Sequence, residues 1–342
     1  MKLRKALVLL VLASLVAGVA LIARRDQPDA AATRTPSGSP ALQSTLSGSR
    51  AMLPLPPVPD LPADKVALGR RLFFDPRLSH DDTIACASCH KLGSGGSDRL
   101  PVSVGIDGKQ GGVNAPTVFN SSLNFVQFWD GRAASLEEQA AGPVHNPLEM
   151  GSNWAEVIPK LNRDEGYRQA FAQLYKQGIT GEAIVDAIAT FERTLLTHNS
   201  RFDRYLNGDK DALDALERSG LQRFVDYGCA SCHQGAGIGG NMFQRFGVMD
   251  SYLKNDAGRK ADLGRFNVTG RESDINVFKV PSLRNVEVTP PYFHDGSAET
   301  LEQAVVVMGR YQLGREFTSE DVRALTAFLR TLTGEWEGQR LQ

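Results

Sequence analysis

The pentapeptide Cys-Ala-Ser-Cys-His occurs twice, at Cys86 to His90 and at Cys229 to His233, and the two copies use all four cysteines of the chain. Two thiols at that spacing close thioether bonds to both vinyl groups of one porphyrin, and the adjacent His then lies under the iron as its proximal ligand. The chain is therefore expected to carry two covalently attached c-type haems, one on Cys86, Cys89 and His90, the other on Cys229, Cys232 and His233. A zinc site of four cysteines, or two redox Cys-x-x-Cys pairs, would use the thiols but give no reason for the His that follows each pair.

At 342 residues and 42% hydrophobic content, the chain can support two domains of ordinary size, each with its own core. A formal net charge of -1 argues against a nucleic-acid partner. Met1-Lys2-Leu3-Arg4-Lys5, an uncharged run from Ala6 to Ala23, and then Arg24 and Arg25 read as an export signal, which fits haem attachment outside the cytoplasmic membrane. The run is long for a cleaved signal and just long enough to span a bilayer, and the small-x-small candidates Gly18 to Ala20 and Ala30 to Ala32 are poorly placed for cleavage. Residues 1–25 are therefore expected to be an inner-membrane anchor of a periplasmic protein, with a soluble periplasmic form after cleavage as the alternative. Residues 26–57, rich in Pro, Ser, Ala and Thr, read as a flexible tether.

The rest of the chain is a tandem duplication. Each haem motif is preceded by Gly-x-x-x-Phe, at Gly69 to Phe73 and Gly220 to Phe224, where glycine permits close helix approach. Each is followed by a Pro-centred segment, Asn114-Ala115-Pro116-Thr117 and Lys279-Val280-Pro281-Ser282. Twelve residues past each Pro comes a shared phrase, Phe128-Trp129-Asp130-Gly131 and Phe293-His294-Asp295-Gly296, leading to helix caps at Ser135 and Thr300. Each half closes with an amphipathic helix, on Val185, Ile188, Phe191 and Leu195 and on Val322, Leu325, Phe328 and Leu332. No stretch shows the alternation of a strand, so the expected fold is all-α: two tandem cytochrome c-like haem domains with long loops, over 58–200 and 201–337. The second half also carries a longer loop from Gly235 to about Asn276, whose role the sequence does not disclose.

The halves diverge after the shared phrase. Met308 in the second half stands where the first has Pro143. A His233/Met308 pair would fill both axial positions of one iron and raise its potential, making it a relay. A core methionine is the alternative reading, and Met242 and Met249 lie nearer the second motif in sequence. The first half instead has Gln139, His145 and Glu149 near that point. A carboxylate there could shuttle a proton between the two oxygens of a peroxide and an amide could orient it, although a solvated helix surface has the same composition. Trp129 either lies between the haems or fills core.

Taken together the chain resembles the bacterial dihaem cytochrome c peroxidase family, over about Leu68 to Gly334. The segments that carry the resemblance are Leu72-Phe73-Phe74-Asp75-Pro76-Arg77-Leu78-Ser79, the first haem motif, Asn114 to Asn120, Phe128 to Ala133 and Pro291-Tyr292-Phe293-His294-Asp295-Gly296. It implies that hydrogen peroxide is reduced to water at the N-terminal haem, and that the C-terminal His/Met haem takes electrons from a small cytochrome c, a cupredoxin or the quinol pool. By position it makes Glu149 and Gln139 the distal pocket residues, Trp129 the inter-haem tryptophan and Met308 the axial methionine. It also implies a calcium ion held by Asn114, Thr289 and Pro291, oxygen ligands of the kind calcium prefers. Family members are commonly homodimers.

One departure stands out: many members place in the loop before Asn-x-Pro-Thr a His that plugs the peroxidatic iron, and here Ile106 occupies the slot. The first iron is thus expected to lack a histidine plug, the spare imidazoles of that half being His80, His145 and His198. Two other functions compete: a purely electron-transferring dihaem cytochrome, and the related dihaem enzyme that oxidises a partner protein. The latter uses Tyr as distal ligand of its second haem, against which Met308 counts.

Overall fold

The computed structural model describes residues 51–252 and 262–342. The expected anchor at 1–25 and most of the tether lie outside these residues. Among those described, no helix is long and apolar enough to cross a membrane. Residues 51–57, read above as the end of the tether, are already packed on the second half. Met52 is buried and bridges Gly235, and the Leu53 carbonyl accepts from the buried Arg284 guanidinium, which also holds Asp203 at 2.8 Å.

The described residues cluster as one unit containing two apolar cores. The first gathers around α1 (Ala63–Phe73), α2 (Cys86–Cys89), α3 (Leu136–His145), α4 (Trp154–Asn162), α5 (Glu165–Leu174) and α6 (Gly181–Glu192). The second gathers around α7 (Arg201–Leu206), α8 (Ala215–Asp226), α10 (Leu301–Val307) and α11 (Ser319–Arg330), with the short α9 (Phe266–Thr269) outside it. Both share one scaffold. α1 crosses α6 so closely that a Cβ on Gly69 would lie 1.9 Å from the Ala187 carbonyl oxygen, and a Cβ on Gly220 in α8 would lie 1.9 Å from that of Ala324 in α11. Only glycine permits either contact.

The shared phrase also folds twice in the same way. Phe128 and Phe293 take the left-handed conformation (φ 65° and 71°), as do Asn120 and Asn285 (60° and 62°), and Gln127–Ala133 and Tyr292–Ala298 form equivalent antiparallel bridges. Left-handed phenylalanine is rare, so its recurrence marks a backbone fixed by its surroundings. Ser135 and Thr300 cap α3 and α10 by accepting from the N–H of Glu138 and Gln303, as the sequence suggested.

The all-α expectation needs one correction. Two small antiparallel ribbons are present, β1 (Phe243–Arg245) with β2 (Val277–Lys279) and β3 (Glu335–Trp336) with β4 (Gln339–Arg340). Strands of two or three residues are too short to show alternation. β1 belongs to the loop inserted in the second half, and its pairing with β2 folds that loop against the segment before Pro281.

Candidate functional site

The first attachment motif forms the single turn α2, closed by the His90 N–H donating to the Cys86 carbonyl at 2.9 Å. The His90 ring donates from Nδ1 to the Gly96 carbonyl at 3.3 Å, which leaves Nε2 as the free nitrogen. Gly95 and Gly96, both left-handed, form the loop that presents this carbonyl. The second motif turns the same way, with the His233 N–H on the Cys229 carbonyl at 3.0 Å. Its Nδ1 is buried without a hydrogen-bond partner, although the nearby carbonyls of Pro281 and Ile238 slightly offset burial, which lowers the ring pKa to about 4.

None of the four cysteines is paired in a disulfide, and burial pushes the Cys86 and Cys229 thiols up to about 12. Among the described residues no group of three or more His, Cys, Asp or Glu could hold a metal ion, so the cysteines do not form one zinc site. Two separate pairs of neutral thiols, each beside an imidazole kept neutral by burial, fit covalent haem attachment.

Beside the second motif lies a largely apolar, partly open cavity of about 1710 Å³, solvent at its mouth included, bordered by Cys229, Cys232, His233 and Met308. Met308 caps the C-terminus of α10 and opens a π-helical turn through Gln312, a distortion frequent at functional sites. Of the three methionines considered, only Met308 borders this cavity, and Met249 is 62% exposed. Gln244, Arg245 and Phe246 form part of the wall, so the inserted loop helps enclose the second site. The buried Lys279 also borders it. Burial pulls its ammonium down to about 8 with no carboxylate opposing the shift, so the cavity offers a cation to an anionic group such as a haem propionate.

Glu149 lies on the turn after α3. Burial raises its pKa, against the hydrogen bond from Asn146 Nδ2 to its Oε1 (2.6 Å) and the charge of Arg132. Burial is the main cause that raises the pKa of Cys86 and Cys89, and the charge of Glu149 adds a lesser push in the same direction to both. Asn146, which orients that carboxyl, escaped the sequence reading; an Asn three residues before a candidate acid is the signal that could have found it. Gln139 is half-buried on α3. Ile106 is buried, donates its N–H to the Glu149 carbonyl at 2.9 Å, and packs its Cδ1 over Gly151. The spare imidazoles are engaged elsewhere: His80 with Glu156, His145 edge-on to Trp154, and His198 on the Pro56 carbonyl.

Trp129 belongs to the first half but borders the second cavity. Its indole donates to the Asn114 carbonyl at 2.9 Å, its own carbonyl accepts from the Lys279 N–H at 2.8 Å, and its ring meets His294 edge-on at 6.3 Å. Asn114, Thr289 and Pro291 border the same cavity, and the Asn114 amide donates to the Leu100 carbonyl at 2.8 Å.

A family model for di-haem cytochrome c peroxidase matches residues 63–211. The chain is 48% identical over 297 residues to the cytochrome c551 peroxidase of Nitrosomonas europaea, covering 86% of this chain and 87% of that protein. The chain belongs to the di-haem cytochrome c peroxidase family. It is also 50% identical over 285 residues to the cytochrome c peroxidase Ccp of Escherichia coli, covering 82% of this chain but spanning only 61% of that longer relative. Among solved structures, a MauG-like protein associated with microbial copper homeostasis superposes with a TM-score of 0.72 at 29% identity, covering 83% of this chain and 93% of that one. Two c-type haems are a property of this family, and the paired thiols and imidazoles described above suit them.

Proposed function

We propose that the chain reduces hydrogen peroxide to water at the haem attached to Cys86 and Cys89, with electrons relayed through the haem attached to Cys229 and Cys232. Peroxide reduction by a di-haem enzyme follows from membership of the family. The observation that supports the assignment of roles is the asymmetry of the sites: Met308 borders the second cavity together with His233, whereas in the first half Pro143 stands at the matching point and the buried carboxyl of Glu149 follows α3. When bound, the haems would supply redox iron, with His90 to hold the first and His233 and Met308 to hold the second.

The chain's own residues move the protons. Glu149, its pKa raised by burial, takes the proton from the nearer peroxide oxygen and delivers it to the leaving one. Asn146 holds the carboxyl in place, and Gln139 on α3 orients the peroxide. Trp129, tied to Asn114 on one side and Lys279 on the other, bridges the two sites. Ile106 offers no nitrogen to the first iron, so no reductive activation is needed.

The division into haem domains at 58–200 and 201–337, a calcium ion on Asn114, Thr289 and Pro291, and a periplasmic location with residues 1–25 as anchor belong to the same proposal. A calcium site built from neutral oxygens binds with modest affinity, because affinity rises with ligand charge. The donor is a small cytochrome c, a cupredoxin or a quinol, and the chain pairs as a homodimer. The test is Glu149→Gln, which should cut peroxide turnover by about a hundredfold while leaving both haem spectra intact. Wild-type turnover in that variant refutes the assignment.

A further inference from the structure

The last residue of α6 is a buried carboxyl that the peroxide chemistry above does not use. Glu192 is 4% exposed, and among the described residues no hydrogen bond to its carboxyl contributes to its titration. Its position relative to the first haem follows from the duplicated scaffold. Gly69 abuts Ala187 and Phe191 just as Gly220 abuts Ala324 and Phe328, so Ile188 corresponds to Leu325 and Glu192 to Leu329. Leu325 and Leu329 both border the second cavity beside Cys229. Glu192 therefore stands where the second half presents an uncharged leucine to its haem. An independent sign agrees: after burial itself, the charge of Glu192 is the largest influence raising the Cys86 pKa, so the carboxyl lies close to the sulfur that carries the porphyrin.

We infer that Glu192 is the redox-linked proton acceptor of the first haem, taking up one proton when that haem gains an electron and releasing it when the electron leaves. The step balances simply. One electron arrives through the second haem and one proton from solvent; Fe(III) becomes Fe(II), the carboxylate becomes a carboxylic acid, and the only bond formed is its O–H. The driving force is electrostatic, because a negative charge added at the iron in a low-dielectric site disfavours a second one nearby. By reciprocity, the proton that steadies the reduced haem raises its potential.

The charged surroundings leave Glu192 free to serve in this way. Arg193 beside it is already paired with Glu137 of α3 at 2.7 Å. From α1, Arg70 lies over the Phe191 ring, and Lys65 pairs with Asp186, nearly two turns earlier on α6. Burial outweighs Arg193 and pushes the Glu192 pKa to about 8, within the range where enzymes work. Glu149 is the other carboxyl that Cys86 feels, so a test must separate the two.

The experiment is a potentiometric titration of the holoprotein, following each haem by its optical and EPR signals between about pH 6 and about pH 9.5, for wild type, Glu192→Gln, Glu192→Leu and Glu149→Gln. In wild type the reduced-to-oxidised ratio of the first haem at fixed potential should fall about tenfold per pH unit, or about 59 mV per unit, across the window between the two Glu192 pKa values. Both Glu192 variants should flatten that slope, Glu149→Gln should keep it, and the second haem should titrate unchanged in all four. An unchanged slope in Glu192→Gln, or a slope abolished by Glu149→Gln instead, overturns the inference. Should Glu192→Gln fail to fold, Glu192→Leu supplies the residue that the second half already accommodates. The inference rests on the first-haem reading but is separable from it: a chain without peroxide turnover whose slope still vanishes in Glu192→Gln keeps this inference and loses that one.

Discussion

The two halves are built to the same plan down to a left-handed Phe128 and Phe293, a Gly69 and Gly220 pressed on carbonyl oxygens, and Ser135 and Thr300 caps, yet the surroundings of the two haem motifs differ. These shared features fix backbone. The differences singled out stand at matching points of the two halves: Pro143 against Met308, Glu192 against Leu329, Trp129 against His294, and Asn114 against Lys279. A duplicated frame thus supplies two attachment turns, and we propose that substitution around them divides their work.

That division can be broken from either side. Met308→Ala, which removes the proposed axial thioether, should let the second iron bind carbon monoxide and lower its potential, reducing turnover by roughly tenfold through slower electron delivery. Carbon monoxide binding confined to the first haem in this variant would show that Met308 is only a core residue. The shared frame makes the opposite kind of prediction, since equal damage to either half should cost the same. Gly69→Ala and Gly220→Ala should each destabilise the holoprotein by about 1–3 kcal/mol, because each Cβ meets a helix carbonyl that cannot yield. Denaturant unfolding measures this, and a neutral result in one half alone would mean that the frames differ. The smallest effects belong to the caps. Ser135→Ala and Thr300→Ala should each cost about 1 kcal/mol, with the haem spectra unchanged.

Much of this was legible in the sequence, because the signals are local. The haem motifs, the Gly-x-x-x-Phe helices, the capping residues and the contrast between Met308 and Pro143 are all stated within short stretches, and duplication states them twice. What escaped depends on partners distant in the chain or on conformations that composition does not encode. The β1–β2 ribbon joins residues more than thirty positions apart, the packing of Met52 on Gly235 depends on a fold already formed, and left-handed phenylalanine has no sequence signature. Glu192 is the clearest case. It sits in an amphipathic helix where a charged residue ordinarily faces water, and only the packing of α1 and α3 against α6 shows that it is buried.

We propose that the first iron is open and the second closed. Ile106 is packed over Gly151, and His80, His145 and His198 each have a partner of their own in Glu156, Trp154 and the Pro56 carbonyl. The most direct measurement is the EPR spectrum of the fully oxidised protein before any reduction. A high-spin signal is expected from the first haem, converted to low spin by cyanide, beside a low-spin His/Met signal from the second that cyanide leaves unchanged. A low-spin bis-histidine signal from the first haem, insensitive to cyanide until one electron is added, would contradict it.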